Sequence, residues 1–120
     1  MRPGSRILFV SSGVCHNTAV MPNYLLYAAT KGAIEQMTRV MAKDLAPKGI
    51  NVNAFAPGPV ATNLFFEGKP EAMVNAIKGA NPFGRLGEPE EIAKVAAFLC
   101  GEESSWVDGQ ILHANGGTFV

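Results

Sequence analysis

A chain of 120 residues is long enough for one small domain with a core of its own. Hydrophobic residues make up 48% and charged residues 17%, the composition of a globular chain and not a disordered one. Ten basic and ten acidic residues give a formal net charge of zero, with neither a basic block nor an acidic tail, which argues against nucleic acid as a partner.

In chain order, Ile7-Leu-Phe-Val10 is a continuous apolar run ending in small residues, which suits a parallel strand covered on both faces. It is too short for the apolar region of a signal peptide, and no run approaches the roughly 18 residues of a membrane span. A cytoplasmic protein with no membrane partner is therefore expected. Gly13 to Asn23 reads as a loop, and a helix is expected from about Leu25 to Ala46. Ile34, Met37, Met41 and Leu45 recur at helical spacing, with Glu35, Arg39 and Lys43 on another face. Pro47 and Gly49 stop that helix. Ile50 to Ala56 alternates as a second strand, closed by Pro57-Gly58-Pro59. Residues 61 to 83 mix turn residues with a weak helical segment, Pro70 to Lys78. Pro89 fits a first helical position, and Glu90 and Glu91 suit the positive end of a helix running to about Cys100. Gln110 to Ala114 is the third strand. This order predicts an α/β fold of about three parallel strands with flanking helices.

Cys15 and Cys100 make neither a disulfide framework nor a metal site, and reduced thiols are expected. His16 and His113 have no spacing for a metal or a catalytic triad, so both read as structural, as does Trp106. No metal is expected.

The chemistry-bearing segment is Tyr27-Ala-Ala-Thr-Lys31. Tyr27 and Lys31 are four apart on the helix and share a face. An ammonium beside a phenol favours the phenolate, which makes Tyr27 a candidate proton donor and acceptor. Tyr24 competes, but its partner one turn on is Ala28. Ser12 lies just past the first strand, where ligands gather in open α/β sheets; it reads either as a hydroxyl orienting a carbonyl or as a serine satisfying loop backbone. Pro57-Gly58 removes a side chain at a strand end, which suits either a planar ring or a tight turn. Phe65, Phe66 and Met73 suit either an apolar substrate lining or core packing.

Phe9-Val10-Ser11-Ser12-Gly13, Tyr27 to Lys31-Gly-Ala, Asn51-Val-Asn53 to Pro57-Gly58, Gly84-Arg-Leu-Gly-Glu-Pro89 and Asp108-Gly-Gln occur in one order and spacing. Together they closely resemble the C-terminal half of a short-chain dehydrogenase/reductase, over nearly the whole chain. The resemblance implies residues 1–120 as part of a Rossmann-like NAD(P)-binding domain, the C-terminal half of a doubly wound parallel sheet. It implies hydride transfer between NAD or NADP and a small carbonyl or alcohol substrate. Ser12, Tyr27 and Lys31 would be catalytic. Tyr27, Lys31, Pro57, Gly58, Val60 and Thr62 would contact cofactor, Val60 through its backbone. A homo-oligomer is implied for the full-length form. The spacing from Ser12 to Tyr27 is slightly longer than the family's, the extra residues falling between Val14 and Tyr24. No Gly-rich turn follows a strand here, so the pyrophosphate site is expected to be missing. The competing expectation is a non-catalytic fragment, acting as an interaction module or needing a separate N-terminal half.

Overall fold

The computed structural model describes residues 1–120. Its frame is a sheet of three strands, β1 (Arg6–Val10), β2 (Asn51–Pro57) and β3 (Ile111–Ala114). The strands lie in the order β1-β2-β3, both pairs parallel. Val10 pairs with Phe55, and Pro57 with Ala114, so all three strands end on one edge of the sheet. The other long side of β1 has no strand beside it.

β2 is central and carries the core. Val52, Ala54 and Ala56 are sealed from solvent, and Ile50, Phe55, Leu86 and Leu99 are buried. A strand covered on both faces needs apolar residues at successive positions, as Ala54-Phe55-Ala56 supplies. Asn53 is the polar exception. Its side chain donates to Val107 O at 2.8 Å and accepts from Gln110 N at 3.0 Å. Beside it, Asp108 Oδ1 accepts from Val52 N at 2.7 Å. These bonds dock the turn that leads into β3.

Helix α1 (Leu25–Leu45) lies against β1 and β2. A short 3-10 turn, Ala46–Lys48, ends at Gly49, whose left-handed φ of 71° suits glycine and lets the chain enter β2. Then come the single turn α2 (Asn63–Phe66), α3 (Glu71–Ala80) and α4 (Pro89–Cys100), which packs on β1 and β2. Pro89 opens α4, and the Glu88 N–H donates to Glu91 Oε2 at 2.8 Å. No helix is long and apolar enough to cross a membrane.

Three expectations change. Ile34, Met41 and Leu45 are half-buried on the sheet-facing side of α1 as expected, but Met37 is exposed, and the residues buried deepest on that side are Glu35, Thr38 and Ala42. Small residues at 38 and 42 let the helix approach the sheet closely, and the carboxylate at 35 finds partners. Trp106 is almost fully exposed and packs nothing into the core. The expected loop from Gly13 to Asn23 contains two 3-10 turns, Gly13–His16 and Pro22–Tyr24.

Candidate active site

The ends of the strands gather most of the residues singled out by sequence. After β1, Ser11 N donates to Phe55 O at 2.8 Å and extends the ladder by one bond. Ser12 follows in extended backbone and caps the Gly13–His16 turn, its Oγ accepting from Val14 N at 3.3 Å. The Ser12 hydroxyl donates to nothing in the chain, so its hydrogen is free for another acceptor.

Lys31 brings α1 to the same place. Its Nζ donates to Val10 O, the last carbonyl of β1, at 2.9 Å. Tyr27 lies one turn earlier on the same face, with the Lys31 Nζ 5.7 Å from its ring centroid. The Tyr27 ring is 46% exposed, and its hydroxyl has no hydrogen-bond partner within the chain. Tyr24 stacks edge-on against it, ring centroids 6.3 Å apart.

At the end of β2, Gly58 N donates to Ala114 O at 3.0 Å. A Cβ on Gly58 would stand 2.8 Å from Asn115 Cβ and 3.0 Å from Asn115 Cα. The close approach of the segment after β3 therefore requires glycine here on packing grounds alone. Val60 forms a parallel bridge with Gly87; its carbonyl accepts from Thr62 N at 2.8 Å, while its own N–H is unbonded. Thr62 caps α2, accepting from Phe65 N at 3.2 Å. Phe65 and Phe66 pack edge to face on each other, and Met73 is half exposed.

Behind Ser12 lies a cluster that sequence reasoning did not assemble. Glu35 is 5% exposed, yet it accepts from Ser11 Oγ at 2.7 Å and meets His16 Nε2 at 3.1 and 3.2 Å. Arg39, one helical turn on, stands 3.6 Å away. The signal was present: 27, 31 and 35 repeat every four residues, which puts Glu35 on the Tyr27–Lys31 face. His16 also packs edge-on against His113 at 4.2 Å. Burial, aided by His16, pushes the His113 imidazole below its ordinary value. Burial, aided by Glu35, pushes the Cys15 thiol up, away from a reactive thiolate. The Ser11 hydroxyl faces the carboxylate and not the imidazole, so this is no nucleophilic triad. No three His, Cys, Asp or Glu side chains are grouped so as to hold a metal ion. A cavity of about 530 Å³ lies between the 81–87 loop, α4 and the 113–120 tail, and neither Ser12, Tyr27 nor Lys31 lines it.

Three parallel strand ends, a Tyr-x-x-x-Lys helix tied to the first and a Pro-Gly turn closing the second form a fragment of a Rossmann-like α/β fold. The family model described as "Enoyl-(Acyl carrier protein) reductase" matches residues 1–118. The chain belongs to the short-chain dehydrogenase/reductase family. It is 46% identical over 114 residues to a short-chain type dehydrogenase/reductase of Picea abies, covering 95% of this chain and 41% of that protein. It is 41% identical to an NADPH-dependent aldehyde reductase-like chloroplastic protein of Arabidopsis thaliana, covering 95% and 42%. Among solved structures, the promiscuous reductase LugOII, which catalyses a keto-reduction in lugdunomycin biosynthesis, superposes with a TM-score of 0.87 at 38% identity, over 100% of this chain and 46% of that one. The angucycline C-6 ketoreductase LanV with bound NADP gives 0.86 at 36%, over 98% and 45%. The chain thus spans less than half the length of the relatives it matches.

Proposed function

We propose that this chain carries the proton-transfer machinery and the nicotinamide end of an NAD(P)-dependent oxidoreductase acting on a small carbonyl or alcohol. The observation that carries this reading is the 2.9 Å bond from Lys31 to the last carbonyl of β1, because it joins the Tyr-x-x-x-Lys helix to the strand end that delivers Ser12. In this reading Tyr27, exposed and unbonded at its hydroxyl, moves the proton to or from the substrate oxygen. Lys31 sets a positive charge beside the phenol and favours negative charge on its oxygen as the proton leaves. Ser12 donates its free hydrogen to the substrate oxygen and orients it.

The bound cofactor, NAD or NADP, supplies or accepts the hydride at its nicotinamide. The residues present suit that end of it. The unbonded Val60 N–H is a donor for a carboxamide, and Lys31 has ammonium hydrogens left for ribose hydroxyls. Pro57 and Gly58 keep side chains out of the strand end, and Thr62 is close by in sequence. The pyrophosphate and adenosine contacts are assigned to residues outside these 120. Relatives named as an NADPH-dependent aldehyde reductase-like protein and a ketoreductase with bound NADP support the reading. A homo-oligomer in the full-length form belongs to it too, supported by Leu26, Met37 and Val40 exposed on the outer face of α1. So does a cytoplasmic location.

The test is a mutant series in the chain completed by an N-terminal nucleotide-binding half. Tyr27→Phe deletes only the hydroxyl and is expected to lower turnover about 10²–10⁴-fold with the fold intact. Lys31→Ala is expected to weaken turnover and cofactor binding together, and Ser12→Ala chiefly turnover. Tyr24→Phe is the silent control. Near-normal turnover in Tyr27→Phe refutes the mechanism.

A further inference from the structure

We propose that Glu35 is a positioning residue that holds the segment carrying Ser12 against the helix carrying Tyr27 and Lys31, a role whose effect on turnover rests on the catalytic reading above.

Ser12 is bracketed by two side chains that reach one carboxylate. Ser11, immediately before it, donates to Glu35 Oε1 at 2.7 Å. His16, at the end of the turn that Ser12 caps, meets both Glu35 oxygens at 3.1 and 3.2 Å. The turn Gly13–His16 therefore leaves the helix at Ser11 and returns to it at His16, with Ser12 fixed between. Glu35 in turn sits two turns of α1 beyond Tyr27 and one beyond Lys31. A helix advances about 1.5 Å per residue and is stiff over such lengths, so it transmits the position of Glu35 to Tyr27.

Bulk packing does not account for a carboxylate here. Glu35 is 5% exposed on a face it shares with Ile34, Thr38, Met41 and Ala42, and burying a charge is costly unless every oxygen is engaged. Both oxygens are engaged, one by Ser11 and both by His16, with Arg39 at 3.6 Å as a further positive charge. His113 braces the far side of the His16 ring at 4.2 Å.

Two readouts test it. In the chain itself, Glu35→Ala and His16→Ala are expected to speed hydrogen exchange at the Val14 and Cys15 amides about tenfold or more, while the β2 amides keep their rates. In the active enzyme that carries this segment, both variants are expected to lower kcat by about 10–10²-fold, the scale of a misplacement near 1 Å. KM for the cofactor is expected to stay within about twofold, since none of Ser11, His16 and Glu35 is assigned to it. His16→Gln, whose amide still donates to a carboxylate, is expected to restore most of kcat. If Glu35→Ala fails to fold, His16→Ala, altering a side chain 35% exposed, carries the test. Unchanged exchange at Val14 and Cys15, equal acceleration in β2, or no rescue by His16→Gln overturns the proposal. Retained turnover in Tyr27→Phe overturns the catalytic reading instead, so the two failures are separable.

Discussion

Removing the Asn53 side chain is expected to destabilise the chain out of proportion to its size. Asn53 is 1% exposed, and Asn53→Ala breaks a 2.8 Å bond to Val107 O and a 3.0 Å bond from Gln110 N. A buried polar group left without a partner costs about 1–3 kcal/mol. Val107 O keeps a long 3.3 Å bond from Asn51, and Gln110 lies at an exposed position, so both penalties fall toward the low end of that range. The sum is about 2 kcal/mol, which in urea moves the unfolding midpoint by roughly 1 M at an ordinary m-value. Asn51→Ala is the control. It removes two bonds of 3.3 Å on the same strand to the same turn and is expected to cost less than about 1 kcal/mol. Asn53→Asp adds a pH signature. The new carboxylate still accepts from Gln110 N but faces the Val107 carbonyl without a proton to donate. Burial raises the pKa of that new carboxyl above its unfolded value, so the variant is best below the ordinary carboxylate range and weakens as pH rises through the raised value. An Asn53→Ala loss no larger than that of Asn51→Ala would refute the account of how β3 is docked.

Leu99→Ala, at a side chain 1% exposed, is expected to cost about 2–5 kcal/mol in the same denaturation experiment, the range for buried leucines. Gly58→Ala pushes a methyl into Asn115 at 2.8 Å and is expected both to lower stability and to shift the amide resonances of Ala114 and Asn115; unperturbed spectra would show that the tail yields freely. The Arg85 guanidinium, bonded at 2.8 Å to each Glu91 oxygen, holds that carboxyl down at about 2 from an ordinary 4.5. The pair's contribution is therefore complete above about pH 4.5 and lost as pH falls toward 2, and Arg85→Gln should return the Glu91 titration midpoint, followed by carboxyl-carbon NMR, toward 4.5. The 120-residue chain alone is expected to bind NADPH weaker than low-micromolar, since only nicotinamide-end contacts are assigned to it; calorimetric titration decides this.

The three strands were legible because β1 is an apolar run, β2 alternates up to Pro57-Gly58, and β3 is a short segment between Gly109 and Gly116, and the observed bounds differ from expectation by about a residue at each end. The single turn α2 was not legible, because its helical signal is one Thr62 cap with no periodic run behind it. The orientation of α1 was legible in part. Ile34, Met41 and Leu45 turn toward the sheet as periodicity predicts, but Met37 faces solvent and the small residues Thr38 and Ala42 sit deepest at the contact. The shared face of Tyr27 and Lys31 was legible from their spacing, but the Lys31 bond to the Val10 carbonyl was not, because it depends on where α1 lands against β1. The Glu35 cluster was not legible either, because joining Ser11, His16 and Glu35 requires knowing how the loop after Ser12 folds back.

The outer face of α1 ties the protein's stability to its surroundings. Leu26, Met37 and Val40 keep 78%, 47% and 58% of their surface in water, so much of their apolar area adds nothing to stability until something covers it. Anything that covers them recognises the folded helix and not the random chain, and so adds RT ln(1 + [L]/Kd) to the unfolding free energy, about 2.7 kcal/mol at a hundredfold excess over Kd. A melting temperature measured at one dilution is then a property of the solution as much as of the sequence.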